Sequence, residues 1–387
     1  MSVDRQMLTG SFRLMKKLNK TVILNIIRNQ GPISRADIAK ITGLTPPTVT
    51  NIVGELLDTG IVEEGELGKS SGGRKPILLQ INARASFVIG AAALTDRTVL
   101  ALCDLDANIV EQRELPPLPS TNEAFVSTLS DSVKQLMQEA HVDEDKVLYL
   151  ALGIHGRMDI RRGVLESVPA FQLENLEIRD LLQDRLRIPM VLDELVRAET
   201  LGEAWYGAGR NLTHFLYFSL EEEPGMGMVV EGQVQAGAAD AAGELAHARV
   251  ASAEERCPEG HDHCLSGLLS ADGLRAALGL DGKATLDEVA TRLESSEADD
   301  LRGRAALLLG QVIGMFVNAL NPERVIIGGA LARSHFVRQV AEQANALFNE
   351  ANAGRCEVVA AELGENIAPI GAATLALRQL FGAPRLV

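Results

Sequence analysis

Residues 219–233, SLEEEPGMGMVVEGQ, have the pattern of a strand, a glycine-containing turn and a second strand. Proteins hold phosphate groups with such turns, because backbone N–H groups point at the anion and no side chain competes for the space. Three glutamates, Glu221 to Glu223, fill the position where the anion would lie. The segment therefore predicts a strand, turn and strand in the shape of a phosphate cradle, with the wrong charge for a phosphate.

Strands and helices alternate on both sides of this segment, as judged from the periods of the apolar residues. The predicted elements are strands at 87–93, 98–104 and 109–115, an amphipathic helix at 125–138, a buried strand at 147–153, and strands at 190–192, 214–220 and 226–231. This order predicts an α/β body of two similar lobes that face a cleft.

The composition of the 387 residues is that of a globular protein, with 46% hydrophobic and 23% charged residues. The most apolar run, residues 305–320, is shorter than a bilayer span and carries Gln311 and Asn318, so it predicts a buried core helix. No export leader opens the sequence, and four cysteines are too few for a disulfide framework. We therefore expect the protein in a reducing cytoplasm, without membrane contact.

The net charge of −15 is unevenly distributed along the chain. Residues 1–80 hold 11 Lys and Arg against 7 Asp and Glu, a net charge of +4, so the remaining residues carry −19. Such asymmetry is typical of a chain that meets a polyanion at one end. A chance distribution of surface charge would give the same numbers. The pattern of residues in 1–80 therefore has to decide between these two explanations.

The positive N-terminal segment contains three predicted helices with a tight turn. The helices are at residues 18–30, 34–42 and 45–60. Ser34 and Thr45 are expected to be N-cap residues, Gly43 to end the second helix, and Pro46 to take the first position of the third, where no N–H is needed. The residues expected to face inward are Val22, Ile23, Ile26, Ile27, Ala36, Ile38, Ala39, Ile41, Val49, Ile52, Val53, Leu56 and Leu57. This layout is typical of a helix-turn-helix, although a protein-docking bundle has similar helices.

Small polar residues and cations provide the candidate contacts to double-stranded DNA. On the helices they are Ser34, Arg35, Thr45, Pro47, Thr48, Thr50 and Asn51. Residues 61–64 and 77–81 predict two strands of a β-wing, whose tip carries Lys69, Arg74 and Lys75. Flexible backbone next to cations suits the narrow minor groove of DNA, whereas the alternative is a solvated hairpin tip. The wing favours DNA binding over protein docking.

Six motifs are spaced along the chain: SSGGRKP at 70–76, GIHGRMD at 153–159, LGEAWYGAGR at 201–210, GELAH at 243–247, the cysteine segment at 257–264 and NPERVIIGGALA at 321–332. They occur in the order found in the ROK family of bacterial sugar-responsive repressors and sugar kinases, which the chain resembles over nearly its whole length. The resemblance implies an N-terminal winged helix-turn-helix followed by a two-lobed, actin-like ATPase (ribonuclease H-like) body. The implied domains are residues 1–81 for DNA binding, 82–192 for the first lobe, completed by the C-terminal helix 370–387, and 193–369 for the second lobe with the oligomerisation surface.

The resemblance places two departures at the positions that kinases of the family need. The carboxylate that serves as base lies eight residues before the Glu of the L-G-E segment, and this chain has Leu195 there, which accepts no proton. Asp193 is nearby and would serve only after a shift in register. The second phosphate loop aligns with Glu221 to Glu223, whose carboxylates would each oppose a triphosphate by about 1 kcal/mol or more. We therefore expect no ATP binding; a cation held by the glutamates is the alternative.

The family's structural zinc is held by one histidine and three cysteines, and one of these ligands has changed. This chain has His247, Cys257, Glu259 and Cys264 at the corresponding positions, so a carboxylate replaces the middle thiolate. Zinc accepts Glu oxygen, and His261 or His263 offers a further nitrogen, so a weakened zinc site is expected. A metal-free loop with two thiols or a disulfide is the alternative.

The resemblance also marks candidate residues for a sugar or sugar-phosphate effector. Glu244 and His247 correspond to residues that contact sugar hydroxyls in relatives, whereas Glu194 replaces the family's asparagine and Ser266 replaces its glutamate. His155 and Arg157 lie at the cleft floor and would favour an anionic effector; a purely structural His155, and no effector at all, are the alternatives. The list of candidates is therefore Glu194, Glu244, His247, His155 and Arg157.

These predictions favour a transcriptional regulator of carbohydrate-related genes, a repressor that binds a near-palindromic operator as a homodimer or homotetramer. The kinase-like body, without the base and the phosphate loop of the kinases, would act as the effector sensor. A sugar kinase with a DNA-binding appendage and a DNA-binding protein without an effector are the alternatives.

Overall fold

A computed structural model describes residues 3–67, 75–257 and 260–382, with side chains from Met15 onward. The first of these segments and the start of the second form a winged helix-turn-helix. Its elements are α1 (Val3–Gln30), β1 (Ile33–Ser34), α2 (Arg35–Thr42), α3 (Pro46–Asp58), β2 (Val62–Leu67) and β3 (Ile77–Ile81). Strand β3 lies between β1 and β2 and is antiparallel to both. The predicted helices and wing strands are confirmed, and α1 extends further toward the N-terminus.

Hydrogen bonds between near neighbours set the ends of α2 and α3. The Ser34 hydroxyl accepts from the backbone N–H of Asp37 at 3.2 Å, and Gly43 ends α2 in the left-handed conformation with φ 68°. The Thr45 hydroxyl accepts from the backbone N–H of Thr48 at 3.4 Å. Each cap satisfies a backbone group that has no hydrogen-bond partner within the helix. The tight turn is therefore encoded locally, as the sequence predicts.

Three of the residues predicted to face inward are exposed instead. Val22 is 45% exposed, Ile41 is 50% exposed and Ala36 is also exposed, whereas Leu24 is buried. For Val22 the reason is tertiary, because α1 packs on both α3 and the last helix of the chain, so its buried face is wider and includes Leu24 and Ile27. The period of the apolar residues alone does not show which neighbours a helix has.

The first sheet of the body has five strands in the order β11, β7, β4, β5, β6. Strands β7 and β11 run parallel to β4, and β5 and β6 continue as an antiparallel meander. A smaller sheet of β8, β9 and β10 is attached and was not predicted from the sequence. The elements are β4 (Phe87–Ala93), β5 (Thr98–Asp104), β6 (Ile109–Leu115), α4 (Asn122–Glu139), β7 (Val147–Ile154), β8 (Arg157–Asp159), β9 (Val164–Val168), β10 (Leu173–Leu176), α5 (Ile178–Leu186) and β11 (Met190–Glu194).

The second sheet has five strands in the order β14, β13, β12, β15, β16, which is the same plan as the first. Strands β12, β13 and β14 form an antiparallel meander, and β15 and β16 are added in parallel. The elements are α6 (Leu195–Tyr206), β12 (Phe215–Leu220), β13 (Pro224–Val230), β14 (Gln233–Val234), α7 (Ser266–Leu269), α8 (Ala271–Leu278), α9 (Leu286–Glu294), α10 (Asp299–Leu320), β15 (Arg324–Gly328), α11 (Ser334–Asn345), β16 (Glu357–Ala360) and α12 (Ile367–Phe381).

Helix α12 lies between the first sheet and α6, so the chain's last helix returns to its first lobe. Glycines permit this approach. A Cβ on Gly90 of β4 would lie 2.4 Å from the carbonyl oxygen of Pro369, and a Cβ on Gly371 would lie 2.7 Å from the carbonyl oxygen of Ala198 in α6. Since both neighbours are backbone atoms that no rotamer change can move, the packing requires glycine at both positions.

The apolar run at residues 305–320 lies in α10. Within the described residues, one helical stretch, Ser296–Leu320, is long and apolar enough to cross a membrane, and half of its most apolar window is buried inside the fold. Leu309, Ile313 and Val317 are buried, and α10 packs against α11. These contacts support the interpretation as a core helix.

Candidate functional site

The exposed face of α3 carries three of the candidate DNA contacts. Pro47, Thr50 and Asn51 are exposed, whereas Val49 and Val53 on the opposite face are completely buried in the core of the N-terminal domain. Small polar side chains on the free face of such a helix can reach base edges in a major groove. Helix α3 is therefore placed as a recognition helix would be.

Other candidates are engaged within the protein. The Ser34 side chain is buried and donates to the carboxylate of Asp37 at 2.6 Å, so it holds α2 in place. Arg35 forms an ion pair with Glu64 of β2 at 2.8 Å, which ties α2 to the wing. Thr45 caps α3. These three side chains position the helices and the wing.

The wing tip lies partly outside the described residues. Lys69 and Arg74 belong to residues 68–74, of which the structure describes nothing. Lys75 is exposed at the point where the chain returns to β3. A cation is therefore in place at the base of the wing.

The residues near the kinase base position are packed or paired. Leu195 is completely buried among apolar neighbours of the cleft. Asp193 Oδ1 lies 2.7 Å from Arg197 Nη2, and Asp193 Oδ2 lies 3.4 Å from Arg378 Nη2. Asp193 is therefore placed as an ion-pair partner of both arginines.

Each glutamate of the turn at 221–223 has a partner in the second lobe. Glu221 Oε1 accepts from the backbone N–H of Ala330 at 3.0 Å. Glu222 pairs with Arg275 at 3.2 Å, and Glu223 accepts from the hydroxyl of Ser266. Only Glu221 faces the cavity of about 580 Å³ between the lobes, where Arg97 of the first lobe also lies. The turn at 221–223 is thus held by contacts of its own carboxylates with the second lobe.

Glu199 of α6 forms a buried acidic pair with Glu221, a pairing that the sequence did not reveal. Burial and the charge of Glu221 raise the pKa of Glu199 to about 8. Burial also raises the pKa of Glu221 to about 7, although Arg97 and the N–H of Ala330 act in the opposite direction. Among the described residues, Glu199 Oε1 and Glu221 Oε2 have no hydrogen-bond partner. Protons held by this pair reduce the repulsion between two buried carboxyl groups.

Replacing Glu199 with glutamine should flatten the dependence of stability on pH. A raised pKa means that the folded state binds protons that the unfolded state has lost, so this stabilisation is complete below about pH 4.5 and is lost as the pH rises through about 7 and 8. Each pH unit over which one extra proton is held corresponds to about 1.4 kcal/mol. Melting temperatures between pH 6 and pH 9 should fall less steeply in Glu199→Gln than in the wild type. Glu342→Gln on the exposed side of α11 is the control, and equal slopes in all three proteins would contradict the assignment.

His155 and Glu194 meet at the floor of the first lobe. Their Nδ1 and Oε1 atoms are 2.7 Å apart, and the second carboxylate oxygen of Glu194 accepts from the N–H of Arg197 to cap α6. Burial opposes a charge on the ring, but the hydrogen bond and charge of Glu194, with Glu199 and Glu221, raise the pKa of His155 to about 9. His155 is therefore an imidazolium at neutral pH, and its Nε2 has no partner among the described residues.

The remaining effector candidates lie on other elements. Glu244 and His247 are exposed on the loop after β14, where Glu244 forms a β-bridge with Gly225. Gly243 makes this bridge possible, since it has φ 92° and a Cβ there would lie 1.6 Å from the carbonyl oxygen of Met226. Arg157 is exposed on β8. The structure thus joins His155 to Glu194 directly, but it shows no hydrogen bond between that pair and Glu244.

His247, Cys257 and Cys264 form a cluster of metal-ligand type. Their ligand atoms all lie within 4.8 Å of one another, and no disulfide joins the two cysteines. His261 adds a second imidazole, with its Nδ1 3.4 Å from Nδ1 of His247. His263 is turned away, because its Nδ1 is 2.7 Å from the carbonyl oxygen of Ala253. Two thiols and one imidazole are donors that zinc accepts, so these three residues fit the metal, and the imidazole of His261 is a candidate for the fourth ligand.

Glu259, the predicted replacement for the missing cysteine, lies outside the described residues. His261 follows Glu259 by two positions in the sequence. Its backbone N–H donates to the sulfur of Cys257 at 3.4 Å. The sequence marked His261 only as a substitute, because the family spacing points to position 259.

Comparisons with known proteins agree with this architecture. The ROK family model matches residues 89–379, and a winged helix-turn-helix DNA-binding model matches residues 19–63. The xylose repressor of Caldicellulosiruptor bescii is 27% identical over 337 residues, which are 82% of this chain and 84% of that protein. The DNA-binding transcriptional dual regulator NagC of Escherichia coli K12 is 25% identical over 341 residues, 84% of this chain and 83% of that protein.

Solved structures show the same fold. A ROK family transcriptional regulator, a homologue of the E. coli MLC protein, covers 95% of this chain and 97% of its own with a TM-score of 0.83 at 21% identity. A ROK hexokinase from Thermus thermophilus covers 76% of this chain and 99% of its own, with a TM-score of 0.61 at 24% identity. The predicted fold class is confirmed, and because the family model spans more than half of the sequence, the chain belongs to the ROK family.

Proposed function

We propose that this protein is a transcriptional repressor that binds an operator near carbohydrate-related genes and releases it in response to a sugar or sugar phosphate. One observation carries the proposal: an exposed polar face on α3, with Thr50 and Asn51, is fused to a ROK body in which Leu195 is buried where kinases need a base. Similar proteins are named as repressors for xylose and N-acetylglucosamine. The class of regulator rests on both.

The absence of kinase activity is supported by the cleft itself. Leu195 accepts no proton, and Asp193 is held between Arg197 and Arg378. Glu221 brings a carboxyl group into the space that a triphosphate would need. No ATP is expected in this cleft. Incubation with ATP, Mg²⁺ and a panel of hexoses, pentoses and amino sugars should release no sugar-dependent ADP, and release abolished in Asp193→Asn would favour the kinase alternative.

We assign DNA binding to residues 1–81, the first lobe to residues 82–192 with the C-terminal helix 370–387, and the second lobe to residues 193–369. The protein would act in the cytoplasm as a homodimer or homotetramer. Two-fold symmetry would then be mirrored in operator half-sites about one helical turn of DNA apart, or a multiple of it.

The effector site is proposed to lie between the lobes. The Nε2 of His155 is buried and has no partner among the described residues, so it would donate to an oxygen of a ligand that reaches it. The Glu194 carboxylate that holds the ring would supply an acceptor beside it. From the second lobe, Glu244 and His247 would accept and donate to further hydroxyls, and Arg157 would favour a phosphate or carboxylate. A ligand that contacts both lobes stabilises one degree of closure over another, which is what an effector must do.

Footprinting of upstream DNA, with and without sugars, tests the proposed function. A protected dyad that fades when the active sugar is added is the expected result. Failure to protect a dyad in any upstream region would exclude a sequence-specific regulator, and protection unaffected by every sugar and sugar phosphate would favour a DNA-binding protein without an effector.

Zinc is proposed to be held by His247, Cys257, Cys264 and His261, where it would order the loop beside the effector site. His261→Ala should weaken zinc binding at least tenfold, because even outer partners of zinc ligands contribute about 10–100-fold. His263→Ala is the matched control, since its ring faces Ala253 instead of the cluster. Metal content after dialysis measures the difference. Retention of zinc by His261→Ala together with its loss from Glu259→Ala would show that Glu259 is the ligand.

A further inference from the structure

The guanidinium group of Arg28, in the last turn of α1, is enclosed by three aromatic rings of the body. Its central carbon lies 4.1 Å from the ring centre of Trp205, 4.7 Å from Phe381 and 5.4 Å from Tyr206. Its Nη2 donates to the hydroxyl of Tyr206 at 2.7 Å. A cation between aromatic faces is attracted to each ring and holds a defined position. This enclosure is called the Arg28 box below.

The rings come from the ends of two helices that begin at the cleft. Trp205 and Tyr206 are the last residues of α6, and Phe381 is the last residue of α12. Helix α6 starts directly after Glu194, the partner of His155, and α12 starts at residues 367–369, which line the cavity between the lobes. Helix α6 therefore runs to the Arg28 box from the proposed effector site, and α12 runs there from the cavity between the lobes.

Helices α6 and α12 are in close backbone contact. A Cβ on Gly202 of α6 would lie 3.1 Å from Cα of Gly371 in α12, so the backbones are in direct contact. A shift of either helix end at the cleft is passed to its partner, because close-packed interiors transmit displacement and do not absorb it. Trp205, Tyr206 and Phe381, at the opposite ends of the two helices, then move together.

Helix α1 continues the connection to α3. Asn25, one turn before Arg28, donates to the carbonyl oxygen of Phe381 at 2.5 Å. Toward the DNA-binding side, Lys16 pairs with Glu55 of α3 at 2.5 Å, and Ile23 of α1 shares a buried core with α3. Helix α1 thus contacts the proposed recognition helix through Lys16 and Ile23, and the body through Asn25 and Arg28.

We propose that Arg28 is a positioning residue that transmits the state of the cleft to α3, by locking α1 onto the joined ends of α6 and α12. The inference rests on the proposed function, because it needs an operator for α3 and a ligand for the cleft. The inference assigns Arg28 no contact with DNA or ligand. Its role is to link the DNA-binding helix α3 to the cleft. Removing it should uncouple the two sites and leave each able to bind.

Trp205 is the chain's single tryptophan, so its fluorescence reports on the Arg28 box alone. By the reciprocity of coupling, operator binding at α3 should change the emission of Trp205, with the same midpoint as binding measured by anisotropy of labelled DNA. In Arg28→Ala, anisotropy should still show binding while the emission no longer follows it. Operator binding by the wild type without any change in Trp205 emission would overturn the inference.

The second measurement is the ratio of operator Kd values with and without sugar, using D-xylose, D-glucose and N-acetyl-D-glucosamine as probes. For a sugar that raises the melting temperature of the wild type, Arg28→Ala should keep that rise but bring the Kd ratio to within about twofold of one. Trp205→Phe, which keeps an aromatic face, should retain most of the ratio. Arg113→Ala, which removes a surface ion pair with Glu139, is the control and should match the wild type.

Tyr206→Phe keeps the ring and loses only the 2.7 Å hydrogen bond, so it decides the case if Arg28→Ala does not fold. It should reduce the Kd ratio severalfold, and a ratio equal to that of the wild type would overturn the proposal. If no sugar changes the operator Kd of the wild type, the result would count against the proposed effector and not against the Arg28 box. The emission of Trp205 on operator binding would still test the link between the box and α3.

Discussion

Replacing Gly371 with alanine should lower the stability of the protein by roughly 3 kcal/mol, in the upper part of the range for overpacked cores. The new Cβ would lie 2.7 Å from the carbonyl carbon and oxygen of Ala198 and 2.8 Å from the N of Glu199. All of these atoms belong to the backbone of α6, so α12 has to move away from it. Thermal unfolding should show a fall of several degrees or more.

Gly303→Ala is the matched control for this change. Gly303 also lies inside a helix, α10, but nothing is within 4 Å of the position that its Cβ would occupy. There the better helix propensity of alanine should stabilise the protein by up to about 1 kcal/mol. If Gly371→Ala melted at or above the temperature of Gly303→Ala, the close contact between α6 and α12 would be wrong.

Replacing Asn51 with alanine should weaken binding to the operator by about 10–100-fold, equivalent to about 1–3 kcal/mol for one base contact of a bidentate side chain. Asn51 is exposed on α3, while Val49 and Val53 of the same helix fill the core, so the change should leave the fold intact. Titration of labelled operator and of a scrambled duplex measures it. The loss should appear on the operator and be small on the scrambled duplex.

Lys75→Ala distinguishes a base contact from a phosphate contact. Lys75 is exposed beside the wing, and its removal should weaken binding to all sequences and reduce the salt slope by about one, because one phosphate contact is lost. Asn51→Ala should leave that slope unchanged. Asn345→Ala, an exposed asparagine at the end of α11, is the control for both. Uniform loss across sequences in Asn51→Ala would place its contact on the DNA backbone instead of a base.

Much of the fold was predictable, because its signals act over a few residues. The caps at Ser34 and Thr45 and the left-handed Gly43 satisfy backbone groups within the same turn, so the helix-turn-helix is visible in the sequence. The strands at 87–93, 98–104 and 109–115 were predicted with the bounds that the structure shows. The first two are short apolar runs that are buried almost throughout, and the third has alternate burial, which leaves a period of two in the sequence. The acid in the turn at 221–223 was equally visible.

The candidate site was predictable only in part. The family motifs located His155, Glu194, His247 and the two cysteines, but not the carboxyl group of Glu199, which lies in the middle of α6 with no signal beyond a charge on a buried helix. The pairing of His155 with Glu194 spans 39 positions, and no local rule connects them. The exchange of Glu259 for His261 as the proposed zinc ligand likewise depends on how the loop folds.

By itself, the sequence determined the winged helix-turn-helix, the alternation of strands and helices and the three glutamates in the turn at 221–223, because propensity, capping and period are local. Only the tertiary structure decided that Val22 and Ile41 are exposed, that Glu222 meets Arg275 and Glu223 meets Ser266, and that Arg28 is enclosed by rings from residues 177 positions and more away. These contacts join segments far apart in the chain, so they depend on how helices and sheets pack. That packing minimises exposed apolar surface and unpaired charge over the whole molecule, and no short stretch of sequence contains it.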